Sequence, residues 1–360
     1  MRLLILLTLF LLSIVPVKAS GIAVIAPKDG DEAIFTRQLV EGVKIAVDEI
    51  NDAGGLLGEK VELITIDDAC SETFAQGETQ HLFLGEGSGI NLVIGPYCEG
   101  KSLAYKNRKA LQILPQPLGK DDFNEKVLGV LKIGGEIKLQ AEVLFAIYKD
   151  KWIDKNIAVI YDSRSKRTYD TAEYLQKLFI DGNLSNRIKL YDLASYKKMK
   201  SLAKEVAASG KIAYILGNKS QIARLAQQLQ EKNEDITIVI DEYQAGGHFF
   251  KEMGNFAEGT YWLRLDDQKA NAEFTDKLID MRIKGYEPHG LGVMGYASVM
   301  VWRDMTKKAN SYDVKLLDNT AAKGSWTLPW GKVKFNEGKI SRSCGWNMYR
   351  FEDGEYTQVN

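Results

Sequence analysis

The stretch Gly21–Cys70, GIAVIAPKDGDEAIFTRQLVEGVKIAVDEINDAGGLLGEKVELITIDDAC, admits few folds. An apolar run at Gly21–Ala26 gives way to a polar loop and then to a helical pattern. In that pattern Leu39, Val43, Ala46, Val47 and Ile50 recur at steps of three and four, a stripe that must pack on a sheet. Asn51-Asp52-Ala53-Gly54-Gly55 supplies residues that accept a positive φ where the chain leaves the helix. Val61–Ile66 then reads as a second strand, closing on Asp67-Asp68 and Cys70. Strand, helix, strand in that order predicts an α/β domain built on a parallel sheet.

The same alternation continues. Strands are expected at Ile90–Gly95, Leu111–Leu114 and Leu128–Ile133, with helices at Thr73–Gly85 and Lys101–Lys109. The apolar pattern lapses at Gly134-Gly135-Glu136 and then restarts. Helices are expected at Leu139–Lys149, Thr168–Leu178, Met199–Ala208 and Gln221–Gln230. Strands are expected at Ile157–Asp162, Ile188–Tyr191, Ile212–Gly217 and Ile236–Asp241. Two successive α/β sheets make a two-lobed molecule, and 360 residues suffice for both. The last third is less regular: Thr260–Leu265 is strand-like, and Asn271–Lys284 and Val293–Lys308 are helical. Trp330–Phe335 with Trp346–Phe351 reads as a terminal hairpin turning at Asn336–Lys339. The expected division is 20–134 plus 260–327 for the first lobe and 135–259 plus 328–360 for the second.

Arg2 precedes an apolar run, Leu3–Val15, followed by Pro16-Val17-Lys18-Ala19-Ser20. This reads as a secretory signal, residues 1–19, cleaved after Ala19. A membrane anchor is the competing reading, but the run falls short of the roughly 18–20 residues that span a bilayer. Export to an oxidising compartment makes a disulfide expected. Cys70 and Cys98 each follow a predicted strand, and neighbouring parallel strands would bring them together; two buried thiols are the alternative. Cys344 is then left as a single buried thiol. The histidines are His81, His248 and His289, none at metal-ligand spacing, so no metal or cofactor is expected. Lys and Arg number 47 against 48 Asp and Glu, a balance that argues against nucleic acid as a partner.

Enzyme signals are mostly missing. The first strand leads into APKDGDEAIF rather than G-x-G-x-x-G, and Gly217-Asn218-Lys219-Ser220 lacks the first half of a phosphate loop. The acid pairs Asp67-Asp68 and Asp121-Asp122 suit caps and loop mouths better than acid–base chemistry. Topology points instead to the loops after the strand C-termini, where open α/β sheets bind ligands. Pro96–Ser102 sits between a strand and a helix and offers backbone N–H groups to an anion. Asp241 and Glu242 end a strand of the other lobe and suit an ammonium; the alternative is that Glu242 caps a helix or pairs with a lysine. Tyr97 and Tyr169 are candidates for lining the pocket.

Through EGVKIAVDEINDAGGLLGEKVELITIDDAC and VIGPYC the chain resembles the periplasmic leucine/isoleucine/valine-binding proteins, receptors of amino-acid ABC importers. The resemblance spans nearly all of the chain after the signal. It implies a type I periplasmic-binding fold, two α/β lobes closing on a small ligand, and a disulfide between the loops of Cys70 and Cys98. It also implies an inner-membrane ABC permease as partner; the chain itself is expected to be a monomer. Glu242 matches the acidic residue that takes the ligand's ammonium, and Tyr169 falls near a ligand tyrosine. The departures are local. Glu99-Gly100-Lys101-Ser102 stands where the family has a serine-rich run for the ligand carboxylate, with Lys101 or Arg164 available to offset Glu99. Pro115-Gln116-Pro117-Leu118-Gly119 replaces a small-residue loop, and Asn218 or Lys219 stands where a tyrosine is expected. The reading is therefore a binding protein for an amino acid or related compound. The alternatives are a sensor without a transporter, a receptor for another carboxylate or aromatic solute, and an enzyme.

Overall fold

The computed structural model describes residues 20–30, 32–71, 73–77, 80, 89–98, 108–217, 219–241, 252–265, 272–283 and 290–359. Strand β1 (Ser20–Ile25) is buried along its whole length and lies between β2 (Val61–Ile66) and β3 (Ile90–Ile94), parallel to both. With β4 (Leu111–Leu114) and β5 (Val130–Lys132) these form the parallel part of the first sheet.

Helix α1 (Ala33–Asp52) turns the expected stripe, from Leu39 to Ile50, into the first core. Its exit works as the glycines require: Gly54 and Gly55 take φ of 94° and 87°. Asn51 then clamps the start of β2, its amide bonding the Val61 N–H at 2.8 Å and the Val61 carbonyl at 2.9 Å. The short helix α2 (Lys120–Asn124) precedes β5.

The second sheet is built the same way. Parallel strands β6 (Ile157–Tyr161), β7 (Ile188–Asp192), β8 (Ile212–Ile215), β9 (Thr237–Asp241) and β10 (Tyr261–Leu265) stand in the order β10-β9-β8-β6-β7. Helices α3 (Lys138–Lys151), α4 (Lys166–Asp181), α5 (Met199–Ser209) and α6 (Lys219–Gln230) accompany them. Phe179 of α4 meets Phe145 and Tyr148 of α3 at ring distances of 5.1 and 4.6 Å. The chain then returns to the first lobe through α7 (Ala272–Ile283), α8 (Gly290–Ala309) and α9 (Val314–Lys323). Lys277 of α7 pairs with Glu49 of α1 at 2.5 Å. Helix α8 crosses α1 so closely that a Cβ on Gly42 would lie 1.9 Å from the Gly292 carbonyl oxygen.

The C-terminal segment departs from the expected hairpin. Trp326–Leu328 (β11) and Gly331–Val333 (β12) pair with each other. The turn at 337–338 is real, with Glu337 and Gly338 at φ 51° and 76°, but it joins Phe335–Asn336 (β13) to Lys339–Ile340 (β14). That pair extends the first sheet beside β5. Trp346–Glu352 (β15) instead runs antiparallel to β10 in the second sheet and forms the terminal hairpin with β16 (Glu355–Val359). So Tyr261–Leu265, expected in the first lobe, belongs to the second sheet, and residues 335–340 belong to the first. Both apolar runs had a face to bury, and periodicity does not say against which sheet edge.

The described strands therefore require three passages between lobes: β5 to α3, β10 to α7, and β14 to β15. The first passage is tied to the loop after β4. Leu118 N–H donates to the Gly135 carbonyl at 3.0 Å, and Ile137 N–H to the Leu118 carbonyl at 2.8 Å. A Cβ on Gly134 would lie 2.1 Å from the backbone of Gln116, so this close passage needs glycine.

A candidate ligand cleft between the lobes

The loops at the C-terminal ends of the first sheet face the β6–α4 loop and the first turn of α4 across a cavity of about 270 Å³. That is just below the range of ligand sites, about 300 to 1,000 Å³. On the first-lobe wall stand Glu32, Tyr97, Gln116, Asp122 and the Cys70–Cys98 disulfide. The second-lobe wall carries Arg164, Ser165, Lys166, Arg167 and Asp170.

The first wall is held by amide chemistry. Arg108 donates to Gln112 Oε1 at 2.8 Å, and Gln112 Nε2 donates to the Gly95 carbonyl at 2.8 Å. Gln116 Nε2 donates to the Pro96 carbonyl, also at 2.8 Å. The peptide between Gly95 and Pro96 is cis, and Tyr97 follows, its hydroxyl donating to Glu32 Oε2 at 3.3 Å. Gln116 is 4% exposed, and its Oε1 has no hydrogen-bond partner among the described residues. The Cys70–Cys98 bridge closes the loops after β2 and β3 as expected, with Cα atoms 5.2 Å apart. The neighbouring acids cap that loop: Asp67 accepts the Ala69 N–H and Asp68 the Cys70 N–H. Asp68 lies within metal-binding reach of both sulfurs, but these are bonded to each other.

The second wall is held by charges. Arg164 grips Asp162 with Nε at 2.8 Å and Nη2 at 2.6 Å, which holds the Asp162 carboxyl below its ordinary pKa. Lys166 reaches Asp170 at 2.5 Å on its own helix and Asp122 at 3.7 Å across the cleft. Arg167 pairs at 2.7 Å with Asp241, which is fully buried at the end of β9. Beneath them Tyr214 accepts from Gln140 at 2.8 Å. Burial first, and then the Asp241 charge, push the Tyr214 phenol well above its usual range.

Of the expected site residues, Tyr97, Gln116 and Arg164 come together in the cleft. Tyr169 is not among the residues that line it. Helix α4 begins at Lys166, two residues before the expected Thr168, which brings Lys166 and Arg167 to the cleft. Tyr169 instead bonds Glu173 one turn along and lies 6.1 Å from the Tyr161 ring. Glu99, Gly100, Lys101, Ser102, Asn218 and Glu242 lie outside the described residues. The sequence reading missed Glu32, Asp122, Lys166, Arg167 and Asp170. The available signal was the run Arg164-Ser165-Lys166-Arg167 directly before a helical pattern, where acids are the usual choice.

Residues 21–355 match the sequence model of a family described as periplasmic binding protein. The chain belongs to that family. A Leu/Ile/Val-binding protein of Rhizobium johnstonii is 25% identical over 343 residues, which cover 93% of this chain and 92% of the relative. A leucine-binding protein of Thermotoga maritima superposes with a TM-score of 0.80 at 18% identity, covering 95% of this chain and 98% of that one. A solute-binding protein of Rhodopseudomonas palustris, solved with 3,4-dihydroxybenzoic acid, gives 0.78 at 15% identity, covering 95% and 96%. The likeness to the solved structures establishes the two-lobed type I fold of this periplasmic binding protein. The family implies an exported, periplasmic location.

Proposed function

We propose that this chain is the solute receptor of an ABC importer, capturing an amino acid or a related small carboxylic acid and presenting it to an inner-membrane permease. One observation carries the reading. The polar cleft is assembled from strand-end loops of both lobes, and the first passage between the lobes is hydrogen-bonded to one of those loops. A ligand that touches both walls favours the closed arrangement by its differential contacts, the logic of a hinged receptor. The binding set is Tyr97, Gln116 and Arg164, extended by Glu99, Gly100, Lys101, Ser102, Asn218 and Glu242. The protein acts as a monomer after cleavage behind Ala19.

The named relatives support amino acids, and the R. palustris structure supports an aromatic acid as the second reading. Native mass spectrometry of the protein as purified, followed by calorimetry with the released compound, identifies the solute. Deletion should abolish uptake of that solute; uptake unchanged by deletion would make the chain a sensor rather than a transport receptor. A purified protein with no affinity for any small acid would end both readings.

A further inference from the structure

We propose that the molecule has a second small-molecule site, on the hinge, which takes an apolar organic acid with its carboxylate on Arg342. The site is a cavity of about 710 Å³, and it shares none of its described lining residues with the cleft. That volume lies well inside the range of ligand sites, about 300 to 1,000 Å³. Both lobes build it. Phe123 of α2 and Ile340 of β14 come from the first, and Leu139, Val143 and Ala146 of α3 with Trp346 of β15 from the second. Two of the three passages border it, one through Gly135 and the other through Ser343. They pack so tightly that a Cβ on Gly135 would lie 2.4 Å from the Ser343 Oγ. Ile137 lines the cleft while Gly135, Glu136 and Leu139 line the cavity, so the first passage runs between the two spaces.

Helix α3 supplies the apolar floor. Its core stripe of Ala141, Leu144, Phe145 and Tyr148 is buried. A second stripe, Leu139, Val143 and Ala146 at steps of four and three, lines the cavity and is only partly covered: Leu139 and Val143 are half-buried and Ala146 is exposed. An apolar surface left open beside polar residues is what a ligand body covers. The charged lining narrows the class. Lys138 is answered by Glu136 at 2.7 Å, and Glu142 accepts from the Tyr174 hydroxyl at 3.0 Å. Arg342 differs. Its main-chain carbonyl is fixed by Trp330 Nε1 at 3.0 Å, while its guanidinium has no hydrogen bond or ion pair among the described residues. A planar fork of N–H donors fits a carboxylate through two parallel bonds. A cationic ligand would instead meet Arg342 and find both acids already bonded.

The test uses three photoreactive probes of one shape on the mature protein: 4-benzoylbenzoate, uncharged benzophenone and cationic 4-benzoylbenzylamine. By calorimetry the acid should bind about fivefold tighter than either of the others, the effect of a charge-assisted hydrogen bond at an exposed arginine. Irradiation and peptide mapping should place its cross-links on residues 139–146 and 340–346. Arg342→Gln should bring the acid down to the level of benzophenone and leave benzophenone itself unchanged. Ala146→Trp, which fills the cavity from its exposed rim, should remove binding of both. Thermal melts establish that the variants fold, and the peptide map and Arg342→Gln decide the matter if Ala146→Trp does not. An acid that binds no tighter than benzophenone, or an Arg342→Gln variant that binds it as well as the wild type, overturns the proposal. So do cross-links on cleft residues 116–119 or 164–170, which would make the acid a cleft solute, and so does binding of none of the three probes. Each of these outcomes leaves the reading of the cleft standing.

Discussion

The two walls of the cleft are stabilised by different physics. On the first lobe, neutral amides bond backbone carbonyls in a buried chain, Arg108 to Gln112 to Gly95 and Gln116 to Pro96, with a disulfide beside it. On the second, three cations within four residues are each answered by an aspartate. Amide-to-carbonyl bonds of this kind are directional and nearly indifferent to salt and mild pH change. Ion pairs respond to both, most where they are exposed. The first wall is therefore a fixed template, and the second an adjustable one whose charges an arriving anion can share.

The deepest ion pair offers the largest test of this contrast. Arg167 is 21% exposed, while Asp241 is fully buried. Arg167→Met should cost about 3–5 kcal/mol in urea unfolding, because removing one partner of a buried pair strands the other. Adding Asp241→Asn should recover most of that loss. A double variant no more stable than the single would show that the pair is not what holds this wall. On the opposite wall, replacing Cys70 and Cys98 with serine should cost about 3–4 kcal/mol by releasing a 28-residue closure, with no dependence on salt. A salt-dependent loss there would blur the distinction between the walls.

These features were unequally visible in the chain. The helix stripe from Leu39 to Ile50, the glycine exit and the half-cystines at two strand ends are local patterns, and the structure reproduces them. Gln116 was reachable because it follows a strand. Its stranded oxygen was not, since that depends on where the Pro96 carbonyl lies. Arg167 and Asp241 are 74 residues apart, and nothing in either neighbourhood names the other. The C-terminal strands show the same limit. A run such as Trp346–Phe351 announces a buried face, but the partner edge is chosen by the whole topology.

A smaller effect separates the two possible ligand orientations. Loss of one charge-assisted hydrogen bond to the solute costs about 1.5–3 kcal/mol of affinity. If the ammonium lies on Glu242, Glu242→Ala should weaken binding of the natural solute by about that amount or somewhat less, and Lys166→Gln should matter less. The opposite ranking by calorimetry would move the carboxylate to the second lobe.

The smallest expected effect lies at Asp162, and its sign follows from its partner. Arg164 holds the folded carboxyl below the ordinary aspartate value of about 3.9, so the folded state favours the ionised form. The associated stability is present above that unfolded value and is lost as the pH falls through the lower, folded one. Arg164 is 67% exposed, so solvent screens the pair and keeps its contribution small. Asp162 Oδ1 also accepts the Arg164 backbone N–H at 3.0 Å, a bond that asparagine can keep through its own oxygen. Asp162→Asn should therefore cost only the ionic part at neutral pH, and unfolding curves of variant and wild type should converge in strong acid. A difference that persisted undiminished in acid would mean that shape, not charge, secures the β6–α4 loop. The second wall would then be as rigid a template as the first.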